Sequence, residues 1–128
     1  MISVQETEAL HTTLIEKFGG SKGIRDAGAL ESALLRPFQS FGGTDLYPGV
    51  LEKASALIES ILNNHPFIDG NKRTGYVLTV LFLLSYNYEL IAGEGAKYEF
   101  VIDVASGSLR YDQILEWIQK HTLRTSNQ

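Results

Sequence analysis

The sequence predicts an all-α domain, and three observations carry that expectation. Val50, Leu51, Ala54, Leu57, Ile58, Ile61 and Leu62 recur at the i, i+3, i+4, i+7 spacing of one helix face. Helix start and stop residues bracket this stripe and others along the chain. The run over residues 77–84 is apolar on nearly every face, which marks a central helix surrounded by its neighbours. At 128 residues the chain reads as a single domain, 1–128, long enough to bury roughly two thirds of its unfolded surface.

The elements follow in order. Ser3 with Glu6 three residues later forms a capping box, and Leu10, Leu14, Ile15 and Phe18 then make a buried stripe that Gly19-Gly20 ends. Residues 23–26 connect to a short helix capped by Asp26 and carrying Leu30, Leu34 and Leu35 up to Pro37. Three glycines and Pro48 between positions 39 and 49 predict a structured loop or small hairpin. The strongly periodic helix comes next, followed by a polar loop and a helix over residues 71–86. Two more helices are expected, at residues 96–105 and 110–121. Gly107 ends the first; Ser108 caps the second, which is buried through Ile114, Leu115 and Ile118. Residues 124–128 read as frayed.

Composition excludes several functions. Zero cysteines rule out disulfides and thiolate metal sites, and suit a reducing, cytoplasmic compartment. No basic segment and apolar run follow Met1, so no signal peptide is expected, and the longest apolar block is too short to span a membrane. A formal charge of −4 argues against nonspecific nucleic-acid binding.

Chemistry concentrates in ten residues, His65-Pro66-Phe67-Ile68-Asp69-Gly70-Asn71-Lys72-Arg73-Thr74. They lie at the junction of two helices. A helix N-terminus preceded by glycine and followed by two cations favours an anion through its free N–H groups, its dipole and the charges. A carboxylate beside such a site makes sense if Mg²⁺ lies between it and the anion, which points to a phosphorylated nucleotide. Taken singly the residues say less. His65 falls seven after Ile58 and four after Ile61, so it continues the buried stripe as a packed core residue would. Asp69-Gly70 alone is a turn signal. Lys72-Arg73 alone is a solvated helix start, although cations there oppose the dipole. GxxxxGK[ST] and GxGxxG are both absent.

Together the ten residues resemble the signature of the Fic/Doc family, His-Pro-Phe-x-[Asp/Glu]-Gly-Asn-x-Arg. Residues 23–26, 30–34, 41–43 and 46–48 extend the likeness toward the death-on-curing (Doc) branch, so nearly the whole chain is covered. The resemblance implies a compact helical bundle with a small flap, ATP and Mg²⁺ as cofactors, and a protein substrate. It also implies roles by position. His65 would be the general base toward a protein hydroxyl, and Asp69 would hold Mg²⁺. Gly70, Asn71, Lys72 and Arg73 would bind phosphate, with Asn71 also anchoring the loop. Phe67 would pack into the core. Phe41, Gly42 and Gly43 would form the flap that docks a target segment by strand-like pairing; an ordinary glycine-rich connection is the plainer reading. His11 and His121 read as surface or helix-end residues.

Two positions separate the possible reactions. Family members that transfer AMP usually carry Gly where this chain has Lys72 and a second Arg where it has Tyr76. Lys72 fills space that a phosphate would need, and Tyr76 removes a clamp on the far end of a triphosphate. The Asn-Lys-Arg form is that of the Doc branch, which resembles a protein kinase and moves the γ-phosphate. The expected activity is therefore that of a toxin phosphorylating a Ser or Thr of a cytoplasmic protein, a translation factor being one candidate. AMP transfer by the same His65, or a catalytically silent binding module, are the alternatives. Thr12 to Glu16, Ser55 to Glu59 and Ser85 to Glu89 begin the family's inhibitory helix motif, Ser/Thr-x-x-x-Glu-[Gly/Asn], but none completes it. Inhibition is thus expected in trans, from an antitoxin helix filling an apolar groove.

Overall fold

The computed structural model describes residues 2–125. Among them six α-helices make up the fold: α1 Val4–Phe18, α2 Ala27–Leu35, α3 Val50–Asn64, α4 Asn71–Ser85, α5 Glu94–Ser106 and α6 Tyr111–Lys120. A 3₁₀ turn, Arg36–Phe38, follows α2. Strands β1 Ser40–Phe41 and β2 Thr44–Asp45 form one antiparallel hairpin, while β3 Tyr88–Leu90 and β4 Thr122–Arg124 form an antiparallel ribbon. The predominantly helical expectation holds. No helix among the described residues is long and apolar enough to cross a membrane.

Local chemistry sets most boundaries. The Ser3 hydroxyl accepts the Glu6 N–H at 3.0 Å while the Glu6 carboxylate accepts the Ser3 N–H at 3.1 Å, closing the capping box of α1. Asp26 accepts the Ala29 N–H at 3.0 Å and starts α2. The last helix departs from expectation. Ser108 does not cap it, because its hydroxyl pairs with that of Ser106 at 3.0 Å, and the Arg110 N–H is taken by Gln113 at 2.9 Å instead. Arg124, expected to fray, pairs with Tyr88 in the ribbon; residues 126–128 lie outside the described residues.

The central helix is α3, not α4. In α4, Leu81 and Leu84 stay 48% and 46% exposed and Val77 and Val80 are only half-buried. In α3 every position from Ala54 to Leu62 is buried, and α2, α4, α5, α6 and the 3₁₀ turn all pack on it. Small residues make this possible, since Ala54, Ser55, Ala56 and Ser60 let neighbouring backbones approach. The polar groups are satisfied: the Ser55 hydroxyl donates to the Leu51 carbonyl at 2.8 Å, and Glu59 pairs with Arg36 at 2.9 Å and Arg110 at 3.2 Å. Gly75 brings α4 close. A Cβ there would lie 2.9 Å from Leu62 and 3.1 Å from Ile61.

Candidate active site

The ten-residue motif forms the loop between the C-terminus of α3 and the N-terminus of α4. Pro66 disfavours a helical conformation in the residue before it, so α3 stops and His65 turns left-handed at φ 48°, ψ 57°. This turn takes His65 off the apolar stripe. The ring predicted to continue the buried face is exposed, and among the described residues its nitrogens make no hydrogen bond. A left-handed non-glycine residue costs about 1–3 kcal/mol unless neighbours hold it. Arg25 holds it, donating from Nε to the His65 carbonyl at 2.6 Å and from its terminal nitrogen to the Asn64 carbonyl at 2.8 Å. The backbone beside Arg25 braces the loop as well. The Arg25 N–H donates to the Pro66 carbonyl at 2.7 Å, the Ile68 N–H donates to Gly23 at 3.1 Å, and Ile24 bridges Phe67 in antiparallel fashion.

Beyond Pro66 the loop folds onto Asn71. The Asn71 side-chain carbonyl accepts the Phe67 N–H at 2.9 Å, and its amide donates to the Phe67 carbonyl at 2.9 Å. The Phe67 ring is buried in the core, as expected. Asp69 is exposed, and its two carboxylate oxygens accept N–H groups from Ser21 at 3.1 Å and Gly70 at 2.8 Å. Gly70 sits at φ 75°, where a Cβ would be strained and would press on Ile15 at 3.1 Å. The first-turn N–H groups of Asn71, Lys72 and Arg73 find no acceptor among the described residues, so α4 begins as an open cluster of donors.

Lys72 and Arg73 are exposed on that first turn. Arg73 lies over the Phe18 ring, 4.5 Å from its centroid. Phe18, expected to end the buried stripe of α1, is 55% exposed and serves as this platform. Both cations face a groove of about 900 Å³ between α4 and α5, whose apolar lining includes Tyr76, Val77, Tyr98 and Ile102. Burial, with Glu94 nearby, pushes the Tyr76 hydroxyl above its ordinary range, so the ring stays neutral.

The hairpin turns through Gly42 and Gly43, at φ 59° and 82°, the left-handed pair a two-residue turn requires. Phe41 at its tip is 81% exposed. Lys53 of α3 pairs with Asp45 at 3.8 Å and with the Tyr47 carbonyl, fastening the hairpin to the N-terminal half of α3. A polar groove of about 440 Å³ is lined by Gln39, Glu59, Ser60, Asn63 and Asn64. Gln39, just before the hairpin, and Asn64, just before His65, thus line the same groove.

The profile of the Fic/DOC family matches residues 1–83, which include the whole motif. The chain belongs to the Fic/Doc family. A protein named Toxin Doc from Mycolicibacterium smegmatis is 41% identical over 75 residues, 59% of this chain and 58% of that protein, so the match spans under two thirds of that relative. A protein named Protein kinase doc from Escherichia phage P1 is 32% identical over 119 residues, 93% of each chain.

Two residues outside the ten-residue motif reach its loop. Arg25 looks like part of a connection, yet it clamps both carbonyls at the end of α3. His11, expected at the surface, is 1% exposed and reaches the motif loop. Its place was detectable, because Thr7, His11, Leu14 and Ile15 share one face of α1. Arg25→Ala is expected to lower the unfolding free energy by about 1–2 kcal/mol, since the clamp is exposed and partly screened. Urea unfolding measures it, and an unchanged midpoint would show that Pro66 alone stabilises the turn.

Proposed function

We propose that the chain is a Doc-like toxin that transfers the γ-phosphate of ATP to a Ser or Thr hydroxyl of a cytoplasmic protein. The observation that carries this reading is the pairing of Lys72 and Tyr76 on α4 beside an intact His65, Asp69, Asn71 and Arg73. Lys72 occupies the turn where AMP-transferring relatives leave room for phosphate, and Tyr76 cannot clamp the far end of a triphosphate. The residue set also suits Mg²⁺. Asp69 is an exposed carboxylate, and no group of three or more His, Cys, Asp or Glu among the described residues gathers around a common point. Mg²⁺ is commonly held by one or two carboxylates together with substrate phosphates. When bound it would neutralise charge on the phosphates.

The chain's own residues would do the rest. His65, exposed and making no side-chain hydrogen bond among the described residues, takes the proton from the attacking hydroxyl, work suited to an imidazole. The N–H groups of the first turn of α4, with Lys72 and Arg73, bind phosphate oxygens, so positioning and charge stabilisation supply most of the acceleration. Phe41, Gly42 and Gly43 present the target segment along the polar groove. The target is a protein, with a translation factor as one candidate.

Cytoplasmic extract incubated with Mg²⁺ and ATP labelled at either phosphate tests the reaction. The expected result is a protein labelled from γ alone. Label from the α position would establish AMP transfer, and none from either would favour a binding module. The groove between α4 and α5 is a suitable seat for an antitoxin helix. Expression of the chain alone is accordingly expected to arrest growth. Harmless expression with the His65 site intact would remove the case for inhibition in trans.

A further inference from the structure

His11 touches the motif loop in two ways. Its ring stacks on Phe67 with centroids 3.9 Å apart and planes 5° from parallel. Its Nε2 lies 2.7 Å from the carbonyl oxygen of Asp69. A carbonyl oxygen can only accept, so Nε2 must carry the proton. One buried ring therefore grips a core aromatic by its face and the Asp69–Gly70 peptide by its edge.

That peptide has two available orientations, because Gly70 tolerates conformations that other residues do not. In the observed one the Asp69 carbonyl points at His11, and the Gly70 N–H donates back to the Asp69 carboxylate at 2.8 Å. Reversal would break both bonds and release one oxygen of the carboxylate, leaving it on the Ser21 N–H alone. It would also free a carbonyl dipole next to the open N–H groups of α4, where it would compete with an anion. A Cβ on Gly70 would stand 3.6 Å from Nε2. His11 and a glycine at φ 75° are thus packed together.

We propose that His11 is a positioning residue: as an Nε2–H donor it locks the Asp69–Gly70 peptide so that the Asp69 carboxylate is presented for a divalent cation. This rests on the reading of Asp69 as the metal-holding residue. Groups that orient a ligand carboxylate typically change metal affinity by about 10–100-fold when removed.

The test compares His11→Phe, which keeps the stacked ring but loses the donor, with His11→Gln, which keeps a donor amide at a similar reach. Mn²⁺ binding in the presence of ATP, followed by electron paramagnetic resonance, reads the site without turnover. His11→Phe is expected to weaken it about 10-fold or more, with His11→Gln returning most of the loss. Long-range ¹H–¹⁵N spectra of the wild type are expected to show the Nε2–H form. Binding by His11→Phe equal to wild type, or an Nδ1–H ring, would overturn the proposal. So would His11→Gln binding no better than His11→Phe, since packing would then account for the loss. If His11→Phe fails to fold, His11→Gln and the wild-type spectra decide. Asp69→Asn separates the two claims. Unchanged binding in that variant overturns the role of Asp69 itself, whereas lost binding there with normal binding in His11→Phe overturns His11 alone.

Discussion

Replacing His65 with alanine is expected to lower protein modification by about 10²–10⁴-fold, the span that a positioned general base contributes. The fold should survive. The imidazole is exposed and makes no hydrogen bond among the described residues, and the turn is held through backbone carbonyls by Arg25. A thermal melt within about 0.5 kcal/mol of wild type, with modification lost, is the signature of a chemical role. A large loss of stability would instead make His65 a structural cap.

The second large effect falls on stability. Phe67 is buried, stacks on His11 and is gripped at both backbone groups by Asn71. Phe67→Ala is expected to cost about 3–5 kcal/mol, because the cavity adjoins a loop whose backbone is pinned and cannot collapse into it. For a domain of this size that corresponds to a fall in Tm of about 11–19 °C. Calorimetry measures it. A fall of only a few degrees would mean that the loop repacks, and that the motif is less rigid than its hydrogen bonds imply. The variant should also lose activity while His65 and Asp69 remain, since both rest on the same loop.

Much of the fold was legible because its signals are local. The capping box of Ser3 and Glu6, the Asp26 cap, the Gly42-Gly43 turn and the stripe of α3 act over a few residues. The centre of the bundle was not. Hydropathy favours residues 77–84, but full burial on every side needs small residues for close approach and partners for polar ones. Glu59 and Ser60 disguise the full burial of α3, because their partners, Arg36 and Arg110, are remote in sequence. The ribbon of β3 and β4 joins segments more than thirty residues apart, which no local pattern announces. The site divides the same way. The motif residues are contiguous and stood out together, whereas Arg25 and His11 reach the loop across 40 and 58 positions and look ordinary where they stand. His65 was misplaced for a related reason: periodicity carries the helix forward, while Pro66 ends it one residue too early for the ring to be buried.

The mass gained by the modified protein tests the central claim most directly. A purified target is incubated with ATP, Mg²⁺ and either the wild-type chain or His65→Ala, and its intact mass is measured. The account predicts the addition of one phosphoryl group on a Ser or Thr, and none with His65→Ala. An adenylyl group in its place, or a phosphoryl group that persists with His65→Ala, would contradict it.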